Sequence, residues 1–380
     1  MPALKLMFLN GSRGEWGYIR PIIDKCRERG IDYSICATNM LLLSSYGRLV
    51  DEIRNQGYNV GSEIYMSLEG NNHGTMVKSL GVFLTSFVDE LLREKPDWLV
   101  LAGDRGEQLM GAIAAAYSYT PVAHIQAGER SGNIDGTARH AIGKFVHLHF
   151  AANEDAAQRL ERLGEEPFRI HQVGAPQLDE LVSGDVASPA ELQARHDLDV
   201  SAGYLLVVQH AVTEEMSKAV GQAETLAAAL TGYDKPKIWI LPNNDAGSNA
   251  VRQTLIHRRD GNTLLFDNLT RRDYLGLLKH ASAIVGNSSS GLLEAPTFGV
   301  PAVNIGRRQA DRVAGANVLH VDFDQDAIRR AIESAISPAF RATLRDCVNP
   351  YGDGRSSERI LDILLKTPRD DRLLVKRVTY

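Results

Sequence analysis

The groups in this chain that could do chemistry stand where apolar runs end. The densest stretch is HIQAGERSGNIDGTARHAIGK, from His124 to Lys144, which carries Gln126, Glu129, Arg130, Asp135, Arg139 and His140. Carboxylates gathered near one site suit acid–base work, because their environments can push their pKa values apart. Asp135 and Arg139 have the four-residue spacing that lets two side chains share a helix face, and on the plain structural reading they pair. In LAGDRGE, Asp104 follows an apolar run and precedes a helical pattern, so it either points into a site or caps the helix. LNGSRGEWGYIRP is a glycine-bearing turn with Arg13 before a helix, where backbone amides and the helix dipole are expected to favour an anion. GxGxxG is absent there, so it is no dinucleotide fingerprint.

The second half repeats the pattern. His210 ends YLLVVQH, and GNSSSGLLE sets Ser288, Ser289, Ser290 and Gly291 at the expected start of a helix, a donor-rich seat for a diphosphate. Glu294, about one turn further on, could accept both hydroxyls of a ribose. The plain alternatives are serine caps and a surface glutamate. His147 and His149 in HLHF are expected to face the core and not to bind metal.

These residues need a scaffold that brings strand ends together. Strand-like runs cover 4–10, 33–38, 98–103, 122–128, 147–153 and 170–175 in the first half, then 204–210, 237–243, 263–268, 282–287 and 301–306. Amphipathic segments such as WGYIRPIIDKCRERG and EQLMGAIAAAYSY alternate with them, which predicts α/β architecture with parallel sheets covered on both faces. The boundaries read as a first doubly wound domain over 1–181, a polar linker over 182–203, and a second domain over 204–355. A late helix and tail over 356–380 are expected to pack back on the first domain. Ligands of such sheets bind beyond the carboxyl ends of the strands, where the charged stretches lie.

With 44% hydrophobic and 23% charged residues the chain is an ordinary folded protein and not a disordered one. A net charge of -5 without a basic stripe argues against nucleic acid as a partner. The three cysteines form neither a CxxC pair nor a zinc spacing. The opening LKLMFLN follows no basic leader, and no apolar stretch reaches the ~20 residues of a membrane span. A cytoplasmic location with no membrane partner is expected.

Taken together, GSRGEWGYIRP, LAGDRGE, HIQAGERSGNID…RHAIGK…HLHF, PNNDAGS, GNSSSGLLEAPTFGVPAVNIG and NPYGDG resemble the UDP-N-acetylglucosamine 2-epimerases, and more closely their hydrolysing branch in sialic- and legionaminic-acid synthesis. The resemblance runs from about residue 10 to 354. It implies the GT-B fold, two Rossmann-like domains with a cleft between them, and a nucleotide-sugar substrate. It also implies a reaction: loss of the C-2 proton and of the nucleoside diphosphate to a 2-acetamidoglycal, then hydration to a free manno-configured sugar. No cofactor and no metal are implied, and the chain is expected to form a homo-oligomer. Asp104, Glu129 and Asp135 would be the catalytic carboxylates. Arg13, Arg139 and His210 would lie near the diphosphate or sugar, Asn243 and the Ser288–Gly291 turn would bind substrate or nucleotide, and Glu294 the ribose. Where many sialic-acid enzymes read HIEGGE this chain reads HIQAGE, so Gln126 replaces a catalytic glutamate. Gln126 is then expected to contact the sugar as a neutral partner, with Glu129 or an aspartate as base. The substrate sugar would be N-acetylglucosamine or N,N'-diacetylbacillosamine, on UDP or GDP. A non-hydrolysing epimerase, a GT-B glycosyltransferase and a non-catalytic sugar-nucleotide binder are the other readings.

Overall fold

A computed structural model describes residues 4–70, 72–131, 134–184, 186–242, 247–267, 269–309 and 311–380. The chain forms two units. The first contains the chain up to Arg130, Asp135–Asp179 and Tyr351–Tyr380, and the second contains Glu180–Pro350.

In the first unit the strands are β1 (Lys5–Asn10), β2 (Asp32–Thr38), β3 (Val60–Ile64), β4 (Trp98–Ala102), β5 (Val122–Ile125), β6 (Leu148–Ala151) and β7 (Ile170–Gln172). They pair in parallel in the order 3-2-1-4-5-6-7. Alternate side chains of a strand face opposite sides. Leu6 and Phe8 therefore pack with Trp16, Ile19 and Ile23 of helix Arg13–Arg29, while Met7 and Leu9 pack with Phe83, Phe87 and Leu91 of helix His73–Glu94. In the second unit β8 (Leu205–Val208), β9 (Lys237–Ile240), β10 (Thr263–Phe266), β11 (Ala283–Gly286), β12 (Ala302–Ile305) and β13 (Val318–Val321) form a parallel sheet in the order 10-9-8-11-12-13. It too has an apolar cluster on each face, around Leu205 and Val207 and around Leu206 and Val208.

Both sheets reverse their strand order once, between β1 and β4 and between β8 and β11. Crevices form beyond the carboxyl ends at such switch points. Asp104 follows β4 and His210 follows β8, so the sheet order itself selects these positions.

Three expectations change. Strands β3 and β13 were not among the expected runs: only Ile64 among their residues is buried, so neither is a continuous buried run. The stretch 182–203 is no open linker. It carries helix Pro189–His196, capped by Ser188 with Glu191, and it buries Ala187, Leu192 and Leu198 in the second unit's core. The expected strand 122–128 stops at Ile125, since Gln126 (φ 62°) and Gly128 (φ 76°) are left-handed.

The final segment belongs to the first unit. Trp98 donates its indole N–H to Leu364 O at 3.2 Å, and the buried Arg169 donates to the carbonyls of Leu373, Arg372 and Val375 at 2.6, 3.0 and 3.2 Å. Among the described residues no helix is long and apolar enough to cross a membrane.

The buried histidines satisfy internal bonds. His124 bonds Gly103 O at 2.6 Å, His147 Nδ1 accepts from the Val122 amide at 3.0 Å, and His149 meets Glu165 at 3.0 Å. Burial drives His124 down to about 3 and His147 and His149 down to about 4. The unfolded chain, with ordinary imidazoles, binds more protons than the fold below about pH 6.5, so stability must fall as pH drops from there toward 3. For His124 alone the loss between pH 7.5 and 5 is about 2 kcal/mol. Urea unfolding at the two pH values should show a smaller difference for His124→Gln than for the parent protein.

Candidate functional site

The first unit gathers its charges at the carboxyl ends of β4 and β5. Gly103 (φ 83°) turns the chain after β4 and presents Asp104. Helix Ile134–Phe145 brings Arg139, whose guanidinium pairs with the Asp104 carboxylate, donates to Gln126 O at 2.7 Å, and lies 3.9 Å from Glu129 Oε2. Glu129 and Arg139 are buried, while Asp104 keeps 20% of its side chain exposed. One buried cation thus holds two carboxylates, with one of them facing solvent. Asp135 lies in the first turn of the same helix, partly exposed. The expected intrahelical partner of Asp135 is therefore engaged across the sheet, because Arg139 lies on the helix's buried side.

Gln126, expected as a sugar contact, is bonded through its amide nitrogen to another glutamine. Its side chain is 2% exposed and donates to Gln177 Oε1 at 3.2 Å, so its amide nitrogen is committed inside the protein.

At the Arg13 turn, expected to favour an anion, the first backbone amides have partners within the protein. The amides of Gly11 and Ser12 donate to Glu15 Oε2 at 2.5 and 3.1 Å, and Ser12 Oγ accepts from the Glu15 amide at 3.3 Å. This capping box takes up donors that an anion would need. The Glu107 carboxylate lies where a side chain on Gly11 would begin. Burial, then Glu107, pushes Glu15 well above the usual carboxylate range. Arg13 itself is partly buried. Glu15 and Glu107 were not singled out in the sequence. The S-x-x-E spacing of Ser12 and Glu15 was the signal that could have marked the cap.

In the second unit, the buried Asn287 side chain accepts from the His210 amide at 2.8 Å and donates to His210 O at 2.9 Å. It stitches the end of β8 to the end of β11 and fixes the backbone from which the partly exposed His210 projects. Ser288, Ser289 and Ser290 are partly exposed, and the Ser290 amide donates to Ser288 Oγ at 3.3 Å. Arg308 and Gln309 each donate to Asn287 O at 3.1 Å, which places a cation beside the serine turn. Gly291 is buried under the turn, where an added Cβ would stand 3.2 Å from Ala302, and its carbonyl accepts from Asn317 at 3.0 Å. The helix expected after the serines is a single turn, Ser290–Leu293. The chain breaks at Glu294 and continues as a 3₁₀ turn over Ala295–Phe298, with Pro296 near its start.

Glu294 is buried and pairs through Oε1 with Arg271, while its Oε2 has no hydrogen-bond partner among the described residues. Arg271 also meets Glu180 at 3.3 Å. Against the cost of burial, Glu294 and then Glu180 keep Arg271 firmly charged. Burial and Glu294 push the Tyr274 hydroxyl up. Arg271, Arg308, Asn287 and Gln177 were not anticipated. Their partners are distant in sequence, so spacing carries no trace of them. Asn243 lies outside the described residues. Among the described residues no group of three His, Cys, Asp or Glu side chains could hold a metal ion.

With this geometry in hand, comparison with known proteins is informative. A family model described as UDP-N-acetylglucosamine 2-epimerase matches residues 24–365. The hydrolysing UDP-N,N'-diacetylbacillosamine 2-epimerase of Legionella pneumophila is 34% identical over 379 residues, covering 99% of both chains. The hydrolysing GDP/UDP-N,N'-diacetylbacillosamine 2-epimerase of Campylobacter jejuni is 29% identical over 382 residues, again covering 99% of both. Among solved structures, the Neisseria meningitidis UDP-GlcNAc 2-epimerase bound to UDP-GlcNAc superposes with a TM-score of 0.83 at 19% identity, covering 96% of this chain and 100% of that one. The shared fold is GT-B.

Removing the buried cation should expose its importance. Arg139→Met leaves Asp104 and Glu129 without it, and truncating one side of a buried ion pair costs about 3–5 kcal/mol. Urea denaturation should show a loss of that order, with a much smaller one for Asp104→Asn.

Proposed function

Since the chain belongs to the UDP-N-acetylglucosamine 2-epimerase family, we propose that it is the hydrolysing type, releasing a free 2-epimeric sugar from a nucleotide-linked 2-acetamido sugar. N,N'-diacetylbacillosamine on UDP is the foremost candidate, supported by the full-length likeness to the Legionella enzyme. The observation that carries the reading is the Asp104–Arg139–Glu129 cluster at the carboxyl ends of β4 and β5.

In the proposed reaction a carboxylate of this group, or Asp135, removes the proton from C-2. The electrons form the C-1=C-2 double bond, and the C-1–oxygen bond breaks with its electron pair leaving on the diphosphate. The product pair is a 2-acetamidoglycal and a nucleoside diphosphate. Water then adds its hydroxyl to C-1 while a proton returns to C-2 from the opposite face, giving the manno configuration. Asp104 is held in a close ion pair with Arg139. Glu129, at 3.9 Å from the same guanidinium, is the better placed base. In the second unit we assign the diphosphate to Ser288, Ser289, Ser290 and Arg308, with His210 as a further contact, and the ribose hydroxyls to Glu294 Oε2. The reading carries with it a cytoplasmic homo-oligomer, as the resemblance implies.

Proton NMR in deuterated water with UDP-N-acetylglucosamine, UDP-N,N'-diacetylbacillosamine and its GDP counterpart tests the reaction. The expected result is a free manno-configured sugar deuterated at C-2, together with nucleoside diphosphate. A deuterated but still nucleotide-linked epimer would mean the non-hydrolysing reaction, and retention of the C-2 proton would sink both. Glu129→Gln and Asp104→Asn should each lower turnover by ~10²–10⁴-fold, the usual worth of an acid–base group. Glu294→Gln should instead weaken nucleoside diphosphate binding by about 1–3 kcal/mol in calorimetric titration. Unchanged affinity would remove the ribose assignment.

A further inference from the structure

Gln126 and Gln177 form a contact that the proposed chemistry does not use directly. Gln126 is the first residue after β5 and is left-handed at φ 62°, a conformation that costs a side-chain-bearing residue energy unless its surroundings hold it there. Two bonds hold it. Its side-chain nitrogen donates to Gln177 Oε1 at 3.2 Å, and its carbonyl accepts from Arg139 Nη1 at 2.7 Å. Both glutamines are almost fully buried, at 2% and 1% exposure. Gln177 opens helix Gln177–Ser183, whose Leu178 and Leu181 are buried, so one end of the contact is anchored in packed structure.

The charge count explains why the pair is neutral. Arg139 already serves two carboxylates, Asp104 and Glu129. A third carboxylate at position 126 would be buried beside these two, and burying a further charge is costly. An amide offers the hydrogen bond without the charge.

We propose that Gln177 is a positioning residue: through Gln126 it fixes the turn whose carbonyl orients Arg139, and Arg139 in turn holds Asp104 and Glu129. This rests on the reading of those carboxylates as the proton-transfer groups. Gln177 touches no reacting atom on this account. Its effect is on the aim of the carboxylates, where a displacement of about 1 Å can cost on the order of 100-fold in rate.

Gln177→Met keeps the volume and removes the acceptor. It should lower kcat by up to about 100-fold, with KM and nucleoside diphosphate affinity unchanged. Gln126→Met breaks the contact from the other side, so a folding failure in one variant leaves the other to decide. The double variant should be no slower than the worse single one, since both remove one interaction. A second readout needs no substrate: the guanidinium signals of Arg139 in nitrogen–proton NMR spectra should shift in Gln177→Met, and stay in place in the control Leu181→Met on the same helix. An unchanged kcat with unmoved Arg139 signals would overturn the proposal. So would a raised KM at constant kcat, which would mean that the amide atoms without a partner among the described residues, Gln126 Oε1 and Gln177 Nε2, touch the substrate themselves. If the parent protein turns over no sugar nucleotide, the functional reading fails on its own, and the Arg139 signals still decide whether the pair positions that side chain.

Discussion

The first unit's site depends on a single guanidinium. Arg139 is buried, and what it holds is two carboxylates and a strained carbonyl. Take it away and Asp104 and Glu129 repel one another, and the turn at Gln126 loses its outer bond. The sheet exists, for this purpose, to bring the ends of β4 and β5 to within one side chain's reach of helix Ile134–Phe145.

The second unit repeats the motif with other residues. Arg271 stands between Glu180 and Glu294 as Arg139 stands between Asp104 and Glu129. In each case one cation meets two acids, so neither arginine has charge to spare for an anionic ligand. On the proposed reading a diphosphate is held elsewhere, at the serine turn, where hydroxyl and backbone donors lie beside Arg308. At the Arg13 turn the protein has already spent the amides on Glu15, so resemblance to an anion loop there is superficial.

What could be read in the sequence follows burial. Strands such as Trp98–Ala102, fully buried on both faces, announce themselves as apolar runs, and the residue after each run marks the functional end of the sheet. The strands Val60–Ile64 and Val318–Val321 do not, since only Ile64 among their residues is buried. The polar stretch 182–203 hid a helix because the few buried residues that dock it, Leu192 and Leu198 among them, are diluted by surface residues. Asp104, Glu129 and Arg139 were legible as types of residue at strand ends, but not as one cluster. The partners that organise the sites are tertiary: Gln126 meets Gln177 across 51 residues and His210 meets Asn287 across 77. No local pattern encodes such pairs.

The closing segment has a consequence for how the chain is made. Trp98 and Arg169 in the first unit spend their donors on carbonyls of Leu364, Arg372, Leu373 and Val375. On a ribosome those acceptors are synthesised after Glu180–Pro350 of the second unit. The second unit, continuous from Glu180 to Pro350, can therefore complete itself while the first still waits with a buried-to-be arginine and indole unpaired. Synthesis order and folding order are reversed: the half of the protein born first is the half finished last.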